Sequence, residues 1–361
     1  MDFQLPVYTG PDFSSATFAD CPLAEFVPAP ADGVAPENFH ATSNYPEYVQ
    51  LKRCSWKLCP ESRMDCVVSI EGDILCVKEP RTLRKGELVL VGRTENGEEG
   101  IFVHVDGFGK FLFEEDKFRF KTRSTRETPF SMDYDFLYNL LRYEKYNGYI
   151  TWVLGPAVTF DRDSRQAMIE LFRRGYCHAV MAGNALATHD LEVSMMGTAL
   201  GQDVYDKKIV QRGHYNHLEL LNRVRKCGSI KKAVTELGIK DSIVLTCIEK
   251  NIPLVLAGSI RDDGPLPEVI PDVYSAQDIM RTFARKSTTV IALATQLHSI
   301  AFGNMLPSYR VENDTVRPVY FYIVDISEFA VDKLANRGSF QATGISTNVQ
   351  DFCVNLERAL L

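Results

Sequence analysis

From about residue 131 to the carboxyl end, short unbroken apolar runs alternate with stretches whose apolar residues recur every three to four positions. The runs YITWVLGPAV, HAVMAGNA, IPLVLAGS, TTVIALATQ and VYFYIVDI predict strands buried on both faces. Between and around them, SMDYDFLYNLLRYEKYNG, SRQAMIELFRRGYC, HLELLNRVRKCG, SIKKAVTELGI, SAQDIMRTFARK and NVQDFCVNLERALL carry the helical period. Such alternation predicts an α/β domain with a mostly parallel, doubly wound sheet. The run IVLTCIEK reads as one more buried strand, with Cys247 inside it rather than presented as a reactive thiol.

Residues 46 to 125 follow another rhythm. MDCVVSIEG, DILCVKEP, GELVLVGRT, GIFVHVDG and KFLFEED are short strand patterns broken by Gly, Asn, Asp and Pro turns, which predicts a small β-rich domain. The start of the chain is rich in Pro, Ala and Ser without periodicity and reads as an extended arm. The expected division is therefore 1–38 arm, 39–128 β-rich domain and 129–361 α/β domain, with KFRFKTRSTRETP as the linker.

Composition narrows the function classes. At 361 residues, 45% hydrophobic and 24% charged, the chain is an ordinary globular protein. A formal net charge of −7 argues against a general nucleic-acid or anionic-membrane binder. No stretch approaches about eighteen uninterrupted apolar residues, and the amino terminus lacks the basic start and apolar core of a signal peptide, so a cytoplasmic location is expected. Nine cysteines without framework spacing suggest reduced thiols. Cys54, Cys59, Cys66 and Cys76 lie close together, but the absence of paired CxxC spacing favours burial as small apolar residues over a zinc site.

The chemistry gathers at predicted strand tips. AGSIRDDGPLPEVIPD, from Ala257 to Asp272, sets Arg261, Asp262, Asp263 and Glu268 behind a Gly258-Ser259-Ile260 turn, where open α/β sheets place ligands. AVMAGNALATHDLE runs from a strand through Gly183-Asn184-Ala185 to His189, Asp190 and Glu192; small residues there allow close backbone approach and a helix start that holds phosphate oxygens. GPAV adds Gly155 and Pro156. Asp325 ends another strand, positioned to bond adenine ribose hydroxyls or, equally in keeping, to cap a helix. His214 and His217 have i, i+3 spacing, open to a metal pair or to ordinary hydrogen bonding, the latter preferred. His298 and Asn304 flank a further turn, where the histidine either moves protons or is simply buried. No metal site is expected. These residues alone imply a dinucleotide-sized crevice in an α/β protein.

Taken together, GPAV, GYCHAVMAGNALATHDLE, GTALG, GHYNHLELLNRVRKCGSI, VLAGSIRDDGPLPEVIPDV, LHSIAFGNMLPS and KLANRGS, with DGVAPENFHATSNYPEYV and RMDCVVSI upstream, resemble the conserved region of the lysine-ketoglutarate reductase/saccharopine dehydrogenase (LOR/SDH) family. Its microbial members include an NAD-dependent ornithine cyclodeaminase. The resemblance runs from about residue 29 to the end. It implies a Rossmann-like, deoxyhypusine-synthase-like NAD-binding domain with a smaller β-rich amino-terminal domain, and it implies NAD as cofactor. The arginine-dihydrolase domain that some relatives carry is not expected within these 361 residues, nor is guanidino hydrolysis.

The implied reaction converts L-ornithine, or a related diamino acid, to L-proline or a cyclic imino acid plus ammonia by internal hydride transfer. On that reading Arg261 faces the substrate carboxylate, Asp262 or Asp263 orients an amine, and His298 or His189 moves protons. Asn44, Asp190, His214 and His217 are expected to bind substrate, and Gly155, Pro156, Gly183, Asn184, Ala185, Gly258, Ser259, Ile260, Asn304 and Asp325 to bind NAD. A homo-oligomer, dimer or tetramer, is expected. The family pattern is broken at Thr159, Arg212, Asn336 and Asn348, where two acids have become asparagines and an arginine has been added. These departures leave open NADP in place of NAD, another NAD-dependent amino-acid or imine oxidoreductase, and a binding protein without turnover.

Overall fold

The computed structural model describes residues 3–108, 130–260, 262, 264–312, 315–327 and 342–361. The KFLFEED strand, the basic linker, Arg261, Asp263 and Asn336 lie outside them. Chain contacts divide the molecule into two units.

The first unit holds residues 1–128, 307–319 and 338–341. Its strands are β1 (Glu25–Pro28), β2 (Glu47–Lys52), β3 (Ser55–Leu58), β4 (Val67–Glu71), β5 (Ile74–Lys78), β6 (Leu88–Val91) and β7 (Ile101–Val103). They form two antiparallel sheets, ordered β1-β6-β4-β5 and β3-β2-β7. Val49, Cys59, Cys66, Val68, Leu75, Val77, Leu90 and Ile101, drawn from both sheets and their connections, make one apolar cluster.

The stretch read as an extended arm is not free. Glu25–Pro28 pairs with β6, and Phe13 stacks on Trp56 with ring centres 4.8 Å apart. Two aromatic rings in a Pro- and Ala-rich segment suffice to dock it. Cys59 and Cys66 are buried, but Cys76 is half-buried and Cys54 exposed, because Cys54 sits in the β2–β3 turn with φ +58°. A hairpin of β14 (Tyr309–Glu312) and β15 (Thr315–Pro318), within the segment expected to belong to the α/β domain, clusters with this unit, where the Tyr309 hydroxyl donates to the Cys59 carbonyl at 2.9 Å.

The second unit is the α/β domain. Its helices are α1 (Phe130–Asn147), α2 (Arg162–Arg173), α3 (Asn184–Met196), α4 (Asn216–Cys227), α5 (Ile230–Glu236), α6 (Ile243–Glu249), α7 (Val273–Ala284), α8 (Gln296–Met305) and α9 (Val349–Leu360). A small hairpin joins β10 (Thr198–Ala199) to β11 (Gln202–Asp203). The main sheet contains β8 (Ile150–Leu154), β9 (Ala179–Gly183), β12 (Leu254–Ala257), β13 (Thr289–Leu293), β16 (Tyr320–Asp325) and β17 (Ala342–Ser346), all parallel, in the order β12-β9-β8-β13-β16-β17.

Counted within the unit that order is 3-2-1-4-5-6, the Rossmann arrangement. Every residue of β8 and β13 is buried, so both faces of the sheet centre are covered, as the unbroken apolar runs require. The chain winds outward from β8 through β9 to β12, then returns to β13 on the other side of β8. The carboxyl ends of β8 and β13 thus flank the reversal, where open sheets leave a crevice.

IVLTCIEK is a helix, not a strand. The Ser242 hydroxyl caps α6 by accepting from the Leu245 amide, and Ile243, Val244 and Cys247 turn inward together. Cys247 is buried as expected, and that burial raises its thiol pKa. A seven-residue, mostly apolar segment has too little length for its period to tell helix from strand.

Candidate functional site

The reversal is built from backbone. The Gly155 amide donates to the Leu293 carbonyl at 2.8 Å, and a Cβ placed on Gly155 would stand 1.9 Å from the Ala294 carbonyl oxygen. Only glycine permits this approach. Ala294 itself has φ +48°, turning the chain from β13 into α8. Pro156 opens a single 3-10 turn, closed by the Thr159 hydroxyl donating to the Pro156 carbonyl at 2.7 Å.

Gly183 and Thr295 precede α3 and α8 without a side-chain cap, so no side chain of the capping residue satisfies the first amides of either helix. Both helices follow directly from strand tips, and their positive dipole ends suit an anion.

His298 stands in the first turn of α8, and its Cε1 lies 2.8 Å from where a Gly183 Cβ would be. Gly183 is therefore required by the imidazole. Burial lowers the His298 pKa, and nearby Asp262 pulls it partly back. The imidazole thus lies against the α3 start, with the Asp262 carboxylate near enough to act on its charge.

The loop after β12 is clamped below and open at its apex. Backbone bonds close its base: the Gly258 amide donates to the Ile270 carbonyl and the Ile270 amide to the Leu256 carbonyl, both at 2.9 Å. The Leu266 amide donates to Asn184 Oδ1 at 2.9 Å, Arg225 Nε donates to the Pro265 carbonyl at 3.1 Å, and Glu268 accepts the Ile230 amide at 2.6 Å. At the apex, Asp262 folds back to accept the Ser259 amide at 2.9 Å, and Ile260 is fully exposed. Asn184 therefore serves as a latch between α3 and this loop through its side chain. Arg225 and Glu268 share that task. Neither was singled out in the sequence for it, since a latch between distant segments leaves no local pattern.

Several expected substrate ligands lie elsewhere. Asp190 is fully buried, accepting from Arg165 Nε at 2.7 Å, the Ser242 hydroxyl at 2.6 Å and the Val244 amide at 2.8 Å. It is a structural anion, because adjacent residues on a helix point about 100° apart and its neighbour His189 takes the other direction. His189 is buried, with Nδ1 2.9 Å from Glu192 Oε2. His217 lies 6.5 Å from His189, ring to ring, whereas His214 is exposed and packs on Tyr215. Asn304 is exposed near the far end of α8, about 12 Å of helix rise from Gln296. Asp325 ends β16 half-buried, its Oδ1 accepting the Ser327 amide at 2.8 Å. Asn44 belongs to the first unit, just before β2. Among the described residues no group of three or more His, Cys, Asp or Glu is placed to hold a metal ion.

A 3-2-1-4-5-6 parallel sheet with a glycine reversal and two uncapped helix starts at its carboxyl edge defines a Rossmann-type α/β protein. Residues 137–356 match the family model "Arginine dihydrolase ArgZ-like, C-terminal, Rossmann fold". The chain belongs to that family. It is 40% identical to an ornithine cyclodeaminase of Methanocaldococcus jannaschii, over 91% of this chain and 75% of the relative, and 38% identical to that of Methanopyrus kandleri, over 92% and 77%. Among solved structures, a LOR/SDH protein of Methanococcus maripaludis aligns with TM-score 0.83 at 35% identity, covering 94% of this chain and 98% of that one. AgrE in ternary complex with ornithine and NAD+ aligns with TM-score 0.59 at 31% identity, over 94% of this chain and 46% of AgrE.

Proposed function

We propose that this protein is an NAD-dependent ornithine cyclodeaminase-type enzyme that converts L-ornithine to L-proline and ammonia. The observation carrying the reading is the meeting of His298, Asp262 and the Gly183–Asn184 helix start beside the sheet reversal, in a chain whose relatives are named ornithine cyclodeaminases. A neighbouring structure, AgrE, is described in complex with ornithine and NAD+.

The residues present suit a dinucleotide. Backbone amides at the starts of α3 and α8 supply anion-binding groups, and Gly155 keeps the crevice floor bare of side chains. Gly155, Pro156, Gly183, Ala185, Gly258 and Ser259 are the cofactor contacts on this reading, and Asp325 meets a ribose hydroxyl. The chemistry NAD supplies when bound is reversible oxidation at the substrate α-carbon.

The protein's share is positioning and proton handling. Burial keeps His298 neutral near pH 7, so it accepts a proton from the α-ammonium and leaves that amine able to become an imine. Asp262 holds the resulting imidazolium and orients the amine. Arg261 and Asp263 retain, on sequence grounds, their roles toward the carboxylate and the second amine.

Purified protein incubated with NAD and L-ornithine should release proline and ammonia, read by mass spectrometry, without accumulating NADH. Stoichiometric NADH would point instead to an amino-acid dehydrogenase. Binding of both ligands with no product would refute turnover.

A further inference from the structure

Of the two histidines expected from the sequence to move protons, only His298 has been given work; His189 lies more than a turn into α3. The surroundings of His189 are more elaborate than packing needs. Glu192 is wholly buried and receives four donors: Thr198 Oγ1 at 2.8 Å and the Gly201 amide at 3.2 Å on Oε1, His189 Nδ1 at 2.9 Å and the Leu200 amide at 3.3 Å on Oε2. The turn presenting those amides is strained, with Leu200 at φ +52°. Gly201 packs so closely on Gly213 that a Cβ on either would fall within 2.6 Å of the other's backbone. Asn216 then donates to Thr198 Oγ1 at 2.8 Å, fixing that hydroxyl's proton on Glu192. On the imidazole side, Phe160 meets His189 edge-on at 5.6 Å and His217 stands at 6.5 Å. His189 Nε2 has no hydrogen-bond partner among the described residues.

We infer that Glu192 is a positioning residue that holds His189 with its proton on Nδ1 and its Nε2 lone pair free, and that His189 is the base that neutralises the distal amine of the diamino acid. This rests on the reading under Proposed function and deepens it. A carboxylate accepting from four donors is fixed in place and orients the ring through Nδ1. In the step itself an N–H bond of the distal ammonium breaks, its electron pair stays on that nitrogen, and the proton passes to Nε2. The freed amine then adds to the carbon of the α-imine, whose C=N π pair passes to the imine nitrogen, and that nitrogen later leaves as ammonia. A cavity of about 110 Å³, lined by Phe160, Ala199, Leu200, Gln202, Asp203 and Lys207, shares Phe160 and Leu200 with the surroundings of the dyad.

The test compares His189→Ala, Glu192→Gln and Glu192→Asp in the 361-residue chain saturated with NAD. Loss of the base should lower kcat by about 10²–10⁴-fold with KM for ornithine changed little, and added imidazole should restore part of it in His189→Ala. Glu192→Gln should lower kcat while NAD affinity, read by fluorescence titration, holds; Glu192→Asp should recover part of the rate. The groups facing His189 are Glu192 on its own helix and His217 on α4, so removing the carboxylate should move the acid limb of the kcat/KM profile to lower pH. Full kcat in His189→Ala overturns the inference, and so does a Glu192→Gln defect that tracks only thermal unfolding with the acid limb unmoved. A wild-type protein without ornithine turnover would instead sink the proposed function itself.

Discussion

Replacing Asp190 with asparagine separates a structural anion from a substrate ligand. Its carboxylate is completely buried against Arg165, whose side chain is itself only 5% exposed. Burial works against the guanidinium charge, yet Asp190 and Asp241 outweigh it and raise the Arg165 pKa. Asp241 cannot stand in for Asp190, since its side chain is 51% exposed and its pull is screened by water. Removing one partner of a buried pair leaves a desolvated charge and costs about 3–5 kcal/mol. For a unit of this size that corresponds to a fall in Tm of roughly 6–20 °C. Calorimetry and denaturant titration would measure the loss, and KM for ornithine should stay within about twofold in the folded fraction. A variant with unchanged Tm and a tenfold higher KM would refute the argument and return Asp190 to the substrate pocket.

Three further outcomes follow from the geometry. Gly183→Ala places a methyl 2.8 Å from His298 Cε1, so it should displace the imidazole and reduce kcat at least tenfold while Tm changes little; unchanged turnover would remove His298 from the site. Asn184→Ala leaves the buried Leu266 amide without its acceptor, at about 1–3 kcal/mol, and should loosen the Gly258–Pro265 apex, seen as weaker NAD binding and faster amide exchange at Leu266. His104, His178 and His298 all have pKa values lowered by burial from 6.5. The unfolded chain then binds more protons than the folded one, so stability should fall as pH drops from about 6.5 toward 5; a denaturant midpoint flat across that window would contradict this.

Much of the α/β frame was legible because buried parallel strands must be apolar on both faces. β8, β9, β12, β13 and β16 each announced themselves as unbroken runs. β17 did not: Ala342–Ser346 reads ATGIS, half-exposed at the sheet edge, where no apolar run is demanded. The β14–β15 hairpin was missed because its strands, YRVE and TVRP, carry charges that pair across the hairpin, Arg317 to Glu312 at 3.2 Å. α6 reads as a strand because a seven-residue segment with five apolar residues under one serine cap serves either structure. In the candidate site the glycines were visible and their reasons were not, since the clash that demands Gly155 or Gly183 lies on another strand or helix.

The same distinction bears on where the chain breaks its family's pattern. Asn348 precedes α9 and spends its side chain accepting the Gln350 amide at 2.8 Å, a capping task that Asp and Asn perform about equally. Thr159 is buried and closes the 3-10 turn below Gly155. Arg212 is exposed, in the left-handed region at φ +62°, just ahead of the Gly213 packing contact. None of these three is seen to hold a charge beside His298 and Asp262. The loss of an acid at 348 therefore removes no charge seen beside His298; among the described residues the carboxylates acting on the two imidazoles are Asp262 on His298 and Glu192 on His189. On the proposed reading, substrate choice turns on residues that sequence departures do not mark: Asn184, which latches the Asp262 loop to α3, and the four donors that fix Glu192.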